Sequence, residues 1–458
     1  MRRLVLAALA ISSPAVAQQR EAWEPPTLTT TRYDEDWSSL ADVQRRDGRW
    51  PEPLKYIPLG GAAYATVGAE LRVRDESFQN NLWGGADAPN DSYQWIRLVP
   101  SADIHVGRFR AFVQPIAAYA IGVAPSAGPV DQTRLDLLQG FADIRFGEAR
   151  TGDADGTGIT LRAGRQMIAL GTERLIGTRY GPNVPLAFDG FRALASLNGT
   201  KLSMFAVRPV QPGSGTFDDR RSRAKLLWGA YANRGGLDLY YLGYRNQQAR
   251  SGGLTGSERR HTLGARFFGN QSGWHWNVEG AYQFGRFSGE TISAWTVGTE
   301  FGHRFASIAG QPDAVMRFNV VSGDKRPGGR LGTFNAMFPK GKYFGELSPV
   351  GPYNIVSLNP RVGMGLGSNV SASIASMVYW RYSRRDGIYD VPGNLVRAAD
   401  GATAKFIGSE AEATLAWQAT PELELSTSMS VFGPGRFIKQ TGASRTIGML
   451  GLEANFRF

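Results

Sequence analysis

The sequence predicts an all-β protein: a transmembrane antiparallel β-barrel of about 18 strands, with short periplasmic turns and long extracellular loops. Three observations predict it. From Tyr64 onward, hydrophobicity alternates with period two in segments separated by glycine, proline, asparagine or charge clusters. The connections between these segments alternate between short and long. The longest apolar run, Leu4–Ile11, falls far short of the ~20 residues that a membrane-crossing helix needs.

The elements follow in chain order. Arg2-Arg3, the apolar run and Ala15-Val16-Ala17 read as a secretory signal peptide over 1–17, cleaved before Gln18. Residues 18–63 then form a periplasmic N-terminal segment, and 64–458 the outer-membrane barrel. Strands are expected to begin near residues 64, 95, 108, 133, 159, 188, 199, 225, 237, 261, 273, 291, 313, 354, 369, 407, 421 and 445. Gly107, Asn198-Gly199, Arg234 to Gly236, Gly367-Ser368 and Ala419-Thr420 are tight turns. The long links are 75–94, 168–187, 208–224, 246–259, 323–353, 383–406 and 433–444. Trp95, Trp274, Trp276, Trp295, Trp380 and Trp417 lie on the apolar parity near strand ends, as an interfacial aromatic belt requires. Leu450, Leu452, Ala454, Phe456 and Phe458 form an alternating terminal strand with an aromatic end, the signal that barrel assembly machinery reads.

Composition narrows the chemistry. The chain has no cysteine, four histidines, 57 glycines in 458 residues and a formal charge of +11. Thiolate sites and disulfides are excluded, and a histidine-rich metal centre is disfavoured. A basic secreted chain meets anionic lipid or an acidic solute rather than nucleic acid. The motifs also argue against an enzyme and against a cofactor. G-x-S-x-G and the P-loop pattern do not occur. Asp153-Ala154-Asp155-Gly156 opens like a calcium loop but meets Gly164 where glutamate belongs. Gly363 to Gly367 ends a strand and precedes no helix.

The lumen-facing parity is rich in arginine. Arg72, Arg97, Arg108, Arg110, Arg145, Arg162 and Arg192 face only Glu70, Asp103 and Asp143 early in the barrel, and Arg317, Arg361 and Arg381 follow later. A wall of permanent cations suits the passage of anions. Pairing with lumen carboxylates is the alternative for any single arginine, and it leads to a general diffusion porin for small solutes.

These features resemble the alginate export family of outer-membrane porins. The resemblance rests on Arg32-Tyr33-Asp34-Glu35-Asp36-Trp37, Leu54 to Leu59, Gly68 to Arg72, Leu161 to Gln166, Gly181 to Val184, Phe188-Asp189-Gly190 and Thr333-Phe334-Asn335. It implies a monomeric eighteen-stranded barrel whose arginine constriction passes alginate or a similar acidic polysaccharide or oligosaccharide. It also implies a periplasmic secretion partner, for which residues 18–61 offer a docking surface. Arg72, Arg162, Arg165 and Arg192 match the family's basic pore positions, with Asp189 as acidic neighbour. Strict alternation points Arg165 outward, and a bulge near Gly164 would turn it inward. The family's late periplasmic plug loop has no counterpart at Ala419-Thr420. Links 168–187 and 323–353, the latter with Lys325, Arg326, Arg330, Lys340 and Lys342, are instead the candidates for folding inward.

Overall fold

The computed structural model describes residues 24–147, 157–251, 254–325 and 329–458. The signal sequence, Asp153–Gly156 and Arg326 lie outside the described residues. The period-two segments become β1 (Ala63–Gln79), β2 (Asp91–Val106), β3 (Phe109–Ile121), β4 (Arg134–Gly147), β5 (Gly158–Gln166), β6 (Phe188–Leu197), β7 (Thr200–Gln211), β8 (Lys225–Arg234) and β9 (Leu237–Ser251). They continue as β10 (Leu254–Gln271), β11 (Trp274–Phe287), β12 (Glu290–Arg304), β13 (Asp313–Val321), β14 (Ile355–Gly367), β15 (Val370–Arg381), β16 (Phe406–Gln418), β17 (Leu423–Pro434) and β18 (Ile447–Arg457). Neighbours in sequence pair antiparallel, and β18 pairs with β1 from Gly448↔Gln79 to Arg457↔Glu70, closing an 18-strand barrel. Closure removes the sheet edge that lipid cannot solvate.

Alternation sorts the side chains. On β1, Glu70, Arg72, Arg74 and Glu76 are buried inside, while Leu71 is exposed. Leu98, Val113, Leu161, Phe191 and Leu263 continue the exposed apolar surface around the outside. Trp274, Trp295 and Trp417 stand on that outer face. Trp95 does not: it shares the inward parity of Arg97 and is buried.

One end of the barrel carries tight turns. Asn198-Gly199, Gly235-Gly236, Ser272-Gly273 and Ser368-Asn369 have positive φ at both central residues, the backbone that matches strand twist in two-residue hairpins. The other end carries links 80–90, 122–133, 167–187, 212–224, 322–354, 382–405 and 435–446. The expected long link 246–259 is instead strand, because β9 and β10 remain paired up to Ser251↔Leu254.

The core lies inside the barrel. Links 167–187 and 322–354 fold inward and bridge each other at Ile176↔Phe338. Their Ile168, Leu175, Phe334 and Phe344 pack with the inward-facing Phe188, Tyr240, Tyr379 and Phe432. From the turn end the N-terminal segment also enters, placing Tyr33 against Phe112 and Phe141.

Candidate functional site

The arginines singled out from sequence come to different ends. Arg97 is fully buried and donates to Glu70 Oε1 at 2.6 and 3.1 Å and to the carbonyls of Tyr180, Pro182 and Asn183. Arg72 donates to the carbonyls of Tyr180, Gly181 and Pro182 at 2.9–3.1 Å. Tyr180 Oη completes the clamp on Glu70 Oε2 at 2.5 Å. A guanidinium carries five donors in a fixed fork, so two of them can fasten a row of loop carbonyls that would otherwise be orphaned. Arg72 and Arg97 therefore hold link 167–187 against the wall.

Arg162 makes a bidentate pair with Asp143 at 2.8 and 2.9 Å, between the rings of Tyr33 and Phe141. Arg192 donates to Ser203 Oγ at 2.8 Å and lies within reach of the Tyr33 hydroxyl. Arg165 and Asp189 sit opposite each other and pair at 2.8 Å, on the outward parity at the loop-end rim beneath Asp219. The register of β5 with both neighbours is unbroken, so the bulge expected near Gly164 does not form. Arg361 faces the lumen and is exposed there.

A cavity of about 490 Å³ opens at the loop end between links 167–187, 322–354 and 382–405 and the upper parts of β7–β10. Its charged lining is Arg179, Lys225, Arg250 and Arg260 against the single carboxylate Glu258. Arg260 is satisfied by Glu258 at 2.6 Å and Gln283 at 2.7 Å. Among the described residues, Arg179, Lys225 and Arg250 have no carboxylate within ion-pair distance. Arg179, in the left-handed region with φ 50°, donates to the Pro339 carbonyl, its one side-chain hydrogen bond among the described residues. Burial pulls its pKa below the usual arginine value, against the opposing pull of Tyr353 and Asp390. Tyr244, Tyr353, Tyr389 and Phe338 supply aromatic walls, and the buried Tyr353 hydroxyl has no hydrogen-bond partner among the described residues.

Below this vestibule the inward links narrow the passage. Arg174 ties link 167–187 across the lumen to Glu279, Asn319 and Tyr343. Gly298 makes room for it, since a Cβ there would lie 2.1 Å from Arg174 Nη2. Lys340 is in the same constriction, its pKa lowered by burial and then by Arg317. Further down, small residues including Gly363, Gly365, Ser371 and Ser373 leave a space of about 1030 Å³ bordered by Arg304, Asp313 and Arg361.

A family model described as alginate export matches residues 63–448. The chain belongs to the alginate export family. No curated protein matches it. Among solved structures, the alginate export barrel is similar to OccAB1 of Acinetobacter baumannii at 12% identity, covering 89% of this chain and 99% of that one with a TM-score of 0.58. It is also similar to OccK2 (OpdF) of Pseudomonas aeruginosa in complex with glucuronate, at 14% identity, 86% and 98% coverage and a TM-score of 0.57. OpdK of the same organism with vanillate gives 14%, 86%, 98% and 0.55. The family and the fold make this protein a porin-like channel of the Gram-negative outer membrane, not an enzyme.

Sequence reasoning missed Arg179 and Lys225 in this alginate export barrel. Arg179 lies in a link already singled out, and its lack of a local acidic partner was the available signal. Lys225 stands at a strand start, where parity alone gives no hint that a lumen cavity reaches it.

Proposed function

We propose that this barrel is a passive, anion-preferring channel for short acidic saccharides of the uronate type. The observation that carries this reading is the vestibule, where three cations without carboxylate partners face a space the size of a small-molecule site. A uronate presents a carboxylate to Arg179, Lys225 or Arg250 and a ring face and hydroxyls to Tyr244 and Tyr353. Each step then exchanges water for a weak cation contact, first in the vestibule, next at Lys340, then at Arg361. Closely spaced weak sites let the solute leave as readily as it enters.

The inward links favour a chain of a few sugar units over a long polymer, because they pack inside the lumen and bridge each other at Ile176↔Phe338. Family membership supports uronate chemistry, and glucuronate in the similarly folded OccK2 is consistent with it. Arg72, Arg97 and Arg162 act here by holding the wall and its links in place. The test is the reversal potential of the purified barrel in a planar bilayer under a KCl gradient, with and without an oligogalacturonate. Chloride preference with reversible block supports the reading. A reversal potential near zero without block would make the protein a general diffusion porin.

A further inference from the structure

We infer that residues 29–41 are a built-in plug at the turn end of the lumen, and that their displacement uncovers Arg162 and Arg192 as a second anion contact. Tyr33 is the keystone. It is buried inside the barrel, edge-on to Phe112 and Phe141 with centroids 5.8 and 5.2 Å away. Its hydroxyl donates to the Met167 carbonyl at 2.7 Å, and its own carbonyl accepts from Arg110 Nη2. Arg162 lies under the ring at 4.3 Å. Behind Tyr33, Leu40 and Trp37 are buried, and Arg32 donates to the Phe458 carbonyl at 2.5 Å. The segment thus lines β3–β6 from within.

Two features mark it as removable rather than part of the wall. The wall is already paired without it, because Arg110 binds Asp103 and Arg162 binds Asp143 through their own strands. The plug moreover leaves a donor unmet: Arg162 is 1% exposed and its Nη1 has no partner among the described residues. A guanidinium N–H dried in this way is a cost of the closed state. When the plug leaves, water or a carboxylate can take that N–H. The anchor for such a swing lies downstream, where Lys55 Nζ donates to the Val67 carbonyl and Thr66 Oγ1 to the Lys55 carbonyl. Residues 42–49, largely exposed, link anchor to plug.

The test uses the full chain in planar bilayers. The protein has no cysteine, so Ser203→Cys places one thiol beside Arg192, and an anionic methanethiosulfonate is added from the turn side. In S203C alone modification should be slow. With Tyr33→Ala added, modification should accelerate at least tenfold and single-channel conductance should rise at least twofold. Heat-modifiable gel mobility checks that the barrel has assembled. If Y33A fails to assemble, Tyr33→Phe, which keeps the ring and loses the hydroxyl contacts to Met167 and Arg192, should give smaller increases in both readings. An assembled Y33A or Y33F barrel with unchanged conductance and unchanged modification rate would overturn the inference. The vestibule reading stands or falls separately, on reversal potential rather than on conductance.

Discussion

Replacing both Arg179 and Lys225 by glutamine should cost the channel most of its chloride preference at low salt. The vestibule volume of about 490 Å³ is that of a sphere of about 5 Å radius, which puts each charge about 7 Å from an ion at the centre. In water, one charge at that distance is worth about 0.6 kcal/mol. Screening at 0.1 M salt, with a Debye length of about 10 Å, roughly halves this to about 0.3 kcal/mol. Two charges therefore favour chloride by about 0.6 kcal/mol and disfavour potassium by the same amount. The permeability ratio of chloride to potassium should fall about sevenfold in the double variant. At 1 M salt, where the Debye length is about 3 Å, the change should shrink below about twofold. The assay is the reversal potential in asymmetric KCl at both ionic strengths. A ratio that does not change at 0.1 M would refute the vestibule as the selective element, and an equal change at both strengths would refute the electrostatic account.

Other perturbations probe the inward links. Arg97→Met removes the cation paired with buried Glu70 and the donor to the Asn183 carbonyl; it should cost about 3–5 kcal/mol, read as a lower urea midpoint, whereas adding Glu70→Gln should recover part of the loss. Gly298→Ala drives a methyl into Arg174, so the Arg174 ties to Glu279 and Tyr343 should break and open-channel noise should rise; a trace identical to wild type counts against the tie. Glu346 gives a pH window. Burial works to raise its pKa, but Lys342 and Arg74 hold it down to about 2 from 4.5. Its contribution to seating link 322–354 is thus complete above about 4.5 and is lost as pH falls through about 2. Conductance should be constant from pH 7 to 4 and shift only as pH falls towards about 2, while Glu346→Gln should show the shifted conductance already at pH 7.

Much of the fold was legible because β alternation is local. Each strand of a barrel declares its two faces within its own ten or so residues, and turns such as Asn198-Gly199 declare themselves by residues that tolerate positive φ. Where alternation was misread, the reason is also local. Trp95 looked like a belt residue by its type, but it shares the face of Arg97. The link 246–259 looked like a loop by its glycines and polar residues, yet its two halves pair with each other at the loop end of the barrel.

The site was less legible. Parity shows that Arg72, Arg97, Arg162 and Arg192 point inward, but not what they meet there. Arg72 and Arg97 are taken up by carbonyls of a link more than eighty residues away, and Arg162 is covered by Tyr33 from the N-terminal segment. Arg165 and Asp189 pair with each other at the rim. The cations left without a carboxylate, Arg179 and Lys225, stand out only once three links have folded over the barrel mouth. Period-two patterning and turn chemistry act between near neighbours, so the sequence alone was enough for a closed barrel, most of its strands and its inward-facing arginines. Only the tertiary structure decided which positive charges stay available to a solute, because neutralisation depends on groups brought within about 3 Å through space.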